Sequence, residues 1–276
     1  MTILITGATG FLGGALARAL RHAGADVIGV GRDRSKLADL AEAGIPPLAL
    51  NLEDTTAPLP SLPALQAVVH CAGLSSPWGR YAAHHRANVT GTAQALALAV
   101  AGGARRFVHV STPSVYFRFA DQLNVPEDTP LPQPVNNYAQ SKRAAEALVL
   151  AQQGLDPIVL RPRGIYGPGD TSLVPRLVRA ARRGPLPLLR GGQAVTDLTH
   201  VDDVVAAVRA ALAAPPGLAR RVFNISGGEP LKVTELAEVA GAAAGSPVRW
   251  RALPTGPTLV AIRAMSYGHR LTPGNA

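Results

Sequence analysis

A chain of 276 residues, 47% hydrophobic and only 16% charged, can close one large core and does not belong with disordered chains. Its single cysteine, Cys71, excludes an internal disulfide framework and fits a reducing, cytoplasmic setting. The formal charge of +9 comes from an arginine bias, 24 of 27 basic residues, with aromatics at 4% that do not interleave with a basic patch, so a nucleic-acid partner is not expected.

The elements alternate from the start. "TILIT" (2–6) reads as a buried strand and "FLGGALARALRHAG" as a helix ending near Gly24. "ADVIGV" is a second strand and "DRSKLADLAEAG" a second helix. "PPLAL" and "ALQAVVH" supply two more strands, and 81–101 a long alanine-rich helix. "RRFVHVS" is a fifth strand, "NYAQSKRAAEALVLAQQG" a long helix and "DPIVLRP" a sixth strand. Strands alternating with helices predict an α/β, Rossmann-type doubly wound parallel sheet. After about residue 165 the chain turns rich in Pro and Gly. This predicts a dinucleotide-binding domain over 1–165, with a helix and strand from 197–225 returning to it. Segments 166–196 and 226–276 would form a smaller substrate-binding region, and the last residues, "YGHRLTPGNA", look frayed. "MTILITG" is too short an apolar run for a signal peptide, and "ALALAVAGGA" is too short and glycine-rich to span a bilayer.

Two stretches carry chemistry. The first strand runs into "TGATGFLGG", where Gly7, Gly10 and Gly13 let the backbone approach a pyrophosphate at a helix N-terminus. At the end of the second strand, Gly31 stands where a ribose-binding carboxylate is expected and Arg32 follows, with Arg34 and Lys36 nearby. This favours NADP over NAD, while a register shift would bring Asp33 to the ribose. In "YAQSK", Tyr138 and Lys142 share a helical face. An ammonium about 5 Å from a phenol, at an effective dielectric near 20, contributes roughly 3 kcal/mol, or about two pKa units, and predicts Tyr138 lowered towards neutrality. In "PRLVRAARRG", Arg176, Arg179 and Arg183 lie near one helical face, either solvated or receiving an anionic substrate group. His84 and His85 are adjacent and cannot both face one metal from a regular helix, so no metal site is expected.

Together with "VVHCAG", "NVTGT", "VHVSTPSVY", "RPRGIYGPGD" and "THVDD", these motifs resemble the extended short-chain dehydrogenases/reductases, the NAD-dependent epimerase/dehydratase family, over roughly 1–250. "RPRGIYGPGD" is nearer to the 3β-hydroxysteroid dehydrogenase-like reductases than to sugar epimerases. The resemblance implies a catalytic Thr112, Tyr138 and Lys142, with Ser111 a neighbour and Ser114 near substrate. It implies cofactor contacts from Gly7, Thr9, Gly10, Phe11, Leu12 and Gly13, and from Arg32, Asn51 and Leu52. Further contacts are implied from Cys71, Ala72 and Gly73, and from Asn88, Tyr138, Lys142 and Pro162. Cys71 reads as a small buried residue, not a nucleophile.

Departures from the family shape the substrate. Thr196 occupies the place of an arginine that meets the diphosphate of sugar nucleotides, Phe117 replaces a glycine, and Asn51 replaces an acid near the adenine. The leading expectation is an NAD(P)-dependent oxidoreductase acting on a small, fairly apolar ketone or secondary alcohol. The alternatives are a nucleotide-sugar epimerase or dehydratase with the same triad, and a non-catalytic dinucleotide sensor. The resemblance suggests a homodimer through 81–101 and 137–153, whose alanine-rich faces could equally pack within the monomer. Family members often run longer, so the C-terminal part of the substrate lid is expected to be incomplete.

Overall fold

The computed structural model describes residues 2–120, 122–215, 217–218 and 221–260. The expected frayed tail, and 261–276 of the second substrate segment, lie outside the described residues.

Seven strands form one parallel sheet: β1 (Thr2–Thr6), β2 (Asp26–Gly31), β3 (Pro47–Ala49), β4 (Ala67–His70), β5 (Arg106–Val110), β6 (Asp156–Pro162) and β11 (Arg221–Ile225). Their order is β3-β2-β1-β4-β5-β6-β11, so the chain reverses direction across the sheet between β1 and β4. The carboxyl ends of strands flanking such a switch point open into a crevice. Alternation within each strand divides the core. Ile3, Ile5, Val108 and Ile158 pack beneath α1 (Phe11–His22), α2 (Arg34–Glu42) and α7 (Val201–Ala213). Leu4, Val68, Phe107 and Val159 face the other side, against α4 (Gly91–Ala101) and α5 (Asn137–Ala151). Both faces are covered, which is why these strands read as near-continuous apolar runs.

Boundaries differ from the sequence reading mostly at the ends. α1 stops at His22 because Gly24 adopts φ +85°, and the Ala25 amide returns to Leu20 O at 3.0 Å. β4 starts only at Ala67, and His200 caps α7 by accepting from the Asp202 amide at 3.3 Å. The larger difference lies in 81–101. α3 (Tyr81–His84) runs into a π-helical segment (His85–Thr90) before α4 begins. There the Gly91 amide reaches Arg86 O, and the Thr92 hydroxyl donates to Asn88 O at 2.6 Å.

Beyond β6 the elements shorten. β7 (Ile165–Tyr166) pairs with β10 (Thr199–His200). After α6 (Val174–Arg183), β8 (Leu186–Leu188) pairs with β13 (Trp250–Ala252), and β9 (Val195–Thr196) with β12 (Leu231–Lys232). α6 packs on α8 (Val233–Ala243). No helix among the described residues is long and apolar enough to cross a membrane.

Candidate active site

Two adjoining cavities of about 370 and 780 Å³ lie along the carboxyl ends of the central strands and share Gly7, Gly10 and Cys71–Leu74 as a common wall. Every residue for which the resemblance implies a catalytic or cofactor role lines one or both.

The smaller cavity begins at the glycine loop. Gly7 has φ +70°, and a Cβ there would stand 2.7 Å from the Ala72 amide nitrogen; a Cβ on Gly13 would stand 2.3 Å from Gly7 O. These glycines let β1, β4 and α1 meet closely. Gly10 caps α1 without a side-chain hydrogen bond, and the first turn carries no acid. The amides of that turn therefore face the cleft at the positive end of the helix dipole, where a dinucleotide's pyrophosphate fits. Gly31 does not simply leave space for a phosphate. A Cβ there would meet Thr9 Cγ2 at 2.5 Å, so the Thr9 side chain already fills the gap. Arg32 donates to Glu53 Oε1 at 2.6 Å, and Glu53 lies 3.9 Å from Arg86. Sequence reasoning missed Glu53, which lines this cavity one residue past Leu52. Asn51 turns its side-chain oxygen to the Glu53 amide at 3.2 Å.

The larger cavity holds Thr112, Tyr138 and Lys142 together. Asn136 caps α5 by accepting from the Ala139 amide at 2.8 Å, which fixes the turn that carries Tyr138. Burial pushes the Tyr138 phenol above its ordinary value, and a hydrogen bond with the Thr112 side chain draws it part of the way back. This corrects the lowering expected from Lys142. The Lys142 ammonium is directed at Val110 O, 2.8 Å away, and at His109 Nε2, 3.4 Å away. Burial holds Lys142 down at about 8, against the raising influence of Glu146 and Cys71. Burial, with the Lys142 charge and the neighbouring His70, keeps the His109 ring neutral. His109 lies within the strand "RRFVHVS", and nothing in its spacing marks it as a partner of Lys142.

Two buried sets of polar contacts stand behind these groups. Asn88 accepts from the Leu74 amide at 2.7 Å, and its Nδ2 donates to Leu74 O and to Ser141 Oγ at 2.9 Å. Ser141 in turn donates to Tyr138 O at 2.8 Å. Asn88 thus ties the loop after β4 to α5, with both amide hydrogens engaged within the chain. The Ser111 hydroxyl is committed to Glu146, which pairs with Arg161 Nε at 2.9 Å; Arg161 also donates to Tyr116 OH. The Thr112 hydroxyl instead donates to Ser114 Oγ at 3.1 Å and accepts from the Ser114 amide at 3.2 Å. Cys71 is half-buried on the shared wall, and burial pushes its thiol up to about 12, too high for a nucleophile near neutral pH. Among the described residues no cluster of His, Cys, Asp and Glu could hold a metal ion.

The far end of this cavity is formed by Thr171, Ser172 and, from α6, Leu173, Arg176, Leu177 and Ala180. Of the three arginines noted on α6, only Arg176 lines it. Phe117 does not; it stacks edge-to-face on Phe119, with ring centroids 5.5 Å apart. Thr196 is not remote from a guanidinium either, since Arg163 Nη2 lies 3.3 Å from its hydroxyl, outside the cavity lining.

A model of the NAD dependent epimerase/dehydratase family matches residues 3–226. The chain is 38% identical over 260 residues to a 2-alkyl-3-oxoalkanoate reductase of Stenotrophomonas maltophilia (strain K279a), covering 90% of this chain and 77% of that one. It is 33% identical over 236 residues to a 4-hydroxy-2-methyl-3-oxo-4-farnesyl-3,4-dihydroquinoline-1-oxide ketoreductase of Stigmatella aurantiaca, covering 84% and 70%. Among solved structures it is similar to DesIV, a dTDP-glucose 4,6-dehydratase of Streptomyces venezuelae with NAD and TYD bound, at TM-score 0.77 and 30% identity, covering 92% and 85%.

Proposed function

The chain belongs to the NAD dependent epimerase/dehydratase family and is an NAD(P)-dependent oxidoreductase, and on that premise we propose that it reduces the ketone of a largely apolar substrate. The observation that carries this reading is the pairing of a half-buried, protonated Tyr138 with the Thr112 hydroxyl beside a cavity whose lining contains no acidic side chain. A phenol held above its ordinary pKa is protonated near neutral pH, the form from which ketone reduction draws its proton. Tyr138 delivers the proton to the carbonyl oxygen, and Thr112 hydrogen-bonds the same oxygen and orients it. Lys142, fixed by Val110 O and His109, presents its charge to the cofactor ribose and the phenol. When bound, the dinucleotide supplies hydride from its nicotinamide ring. The first-turn amides of Phe11, Leu12 and Gly13 hold its pyrophosphate. Thr9, Asn51 and Leu52 line its adenosine end, while Ala72, Gly73 and Pro162 flank the remainder.

The cofactor is NADP in preference to NAD. Arg32, with Arg34 and Lys36 close in sequence, supplies the positive charge for a 2′-phosphate, which takes Arg32 from Glu53. The segments 166–196 and 226–260 form the substrate-binding region, and the chain dimerises through α4 and α5, where Val100 and Leu148 are exposed. A second reading, nucleotide-sugar epimerisation or dehydration, is favoured by the guanidinium of Arg163 beside Thr196 and by the likeness to DesIV.

A panel of long-chain ketones, UDP-sugars and dTDP-sugars, followed by NADPH and NADH absorbance and by product analysis, separates the readings. The expected result is stoichiometric NADPH consumption with apolar ketones. Glu53→Gln should tighten NADPH binding about tenfold and leave NADH nearly unchanged, because it frees Arg32 for a charge-assisted bond. An epimerised sugar nucleotide without net cofactor consumption would overturn the ketoreductase reading.

A further inference from the structure

We propose that Arg176 is the anion-binding residue of the substrate site, so that the ketone reduced here carries a carboxylate, with its hydrocarbon lying along α6. The inference rests on the ketoreductase reading and names the substrate's chemical class.

The argument starts from charge. The lining of the larger cavity contains two cations, Lys142 and Arg176, and no Asp or Glu. Lys142 is committed to Val110 O and His109. Arg176 makes no hydrogen bond or ion pair among the described residues, whereas Arg182, on the same helix, is tied to Ser246 Oγ at 3.0 Å and to Ala244 O at 3.3 Å. Arg176 is therefore the uncommitted guanidinium at the exposed edge of this cavity, five donors in a fixed fork suited to a planar carboxylate.

Its position is set by the local fold. Asp170 accepts from the Ser172 amide at 2.7 Å, the Leu173 amide at 3.1 Å and the Val174 amide at 2.9 Å, which pins the start of α6. Leu173, Leu177 and Ala180 then fall on the helix face that also carries Arg176 into the cavity. An apolar stripe with one cation in it, opposite a proton donor, matches an acyl chain bearing both a carbonyl and a carboxylate. A neutral ketone would leave Arg176 solvated and gain nothing from it. A nucleotide-sugar diphosphate would also find Arg176, but would set its sugar and base against Leu173 and Leu177.

The test compares matched ligands on the cofactor-loaded protein. Calorimetric titration of the NADP-loaded chain with dodecanoate and with dodecanamide should show the carboxylate bound about 10- to 100-fold more tightly, the range of one charge-assisted contact. Arg176→Leu should erase that difference, Arg176→Lys should keep part of it, and NADP affinity should be unchanged in both. In turnover, Arg176→Leu should raise KM for a 2-alkyl-3-oxoalkanoate by a similar factor, with kcat changed little and with KM for the corresponding methyl ketone unchanged. Equal binding of acid and amide by the unmodified protein would refute the proposal, even if neutral ketones are reduced as the ketoreductase reading requires. A loss of NADP affinity in Arg176→Leu would instead assign the residue to the cofactor. Failure of every ketone with the unmodified protein would remove the ketoreductase reading, and the carboxylate preference in calorimetry would then stand or fall by itself.

Discussion

The seven-stranded sheet and the segment that follows β6 keep their shapes by different means. In the sheet, β4 is buried at every position, and Leu4, Ile5 and Phe107 are wholly enclosed. In the later segment, strands are two or three residues long, and α6 buries only Ala181. There polar caps do what packing does elsewhere: Asp170 holds the start of α6, and Asp197 accepts from the Gly227 and Gly228 amides, each at 3.2 Å. The difference separates two tasks. Proton transfer needs reacting groups fixed to a fraction of an ångström, and Thr112 stands two residues past the end of β5 while Tyr138 stands in the first turn of α5. Substrate choice needs a wall that can be altered, and Arg176 is mounted on a helix with almost no core.

If that division holds, changes on the sheet side act on turnover and global stability, and changes on the later segment act on KM. The largest effect is expected for Tyr138→Phe, which should lower kcat about a thousandfold, within the roughly 10²–10⁴-fold range of general acid catalysis, while calorimetry shows unchanged cofactor binding. Near-normal turnover would remove the proton donor from the scheme.

Next comes the buried pair behind Thr112. Glu146→Gln leaves Arg161 charged and without its carboxylate partner, which should cost about 3–5 kcal/mol in urea unfolding at neutral pH. The same variant sharpens the electrostatics. Burial depresses Lys142 to about 8, so its charged form is present below that pH and is lost as pH rises through it. We expect kcat/KM for ketone reduction to fall above about pH 8. The Glu146 carboxylate raises Lys142, so in Glu146→Gln this falling limb should move to lower pH. A limb that stays in place would show that Lys142 does not set it.

The smallest effect tests the later segment. Asp170→Ala removes the hydrogen bonds that hold the turn leading into α6 and should cost about 1 kcal/mol, the size of a typical hydrogen-bond loss. Because α6 carries part of the substrate wall and little of the core, KM should rise severalfold with kcat nearly constant. A matching drop in kcat would mean that the two regions are not separable.

Much of the sheet was legible because each strand's apolar run and each following turn point to the same architecture. Gly7, Gly10 and Gly13, and Tyr138 with Lys142, are local patterns, and local patterns survive in sequence. What was not legible depends on contacts between distant residues. Glu53 lies 21 residues from the Arg32 it engages. The partners of Lys142 come from β5, 32 and 33 residues away. Arg163 and Thr196, which bear on sugar-nucleotide binding, meet across 33 residues. Motif spacing contains none of these meetings.

The π-helical segment at His85–Thr90 has a consequence for how the chain tolerates length changes. A regular helix turns about 100° per residue, and a π turn absorbs an extra residue without passing that rotation on in the usual way. Upstream of it, His84 is enclosed beside Tyr138, with ring centroids 6.2 Å apart; downstream, Ala95, Leu96 and Ala99 seat in the core. Removing one residue from 85–90 would restore ordinary pitch and force a choice between those two seatings. The segment works as an angular spacer, so the residue count between His84 and Ala95 matters to the active site as much as the identity of either end.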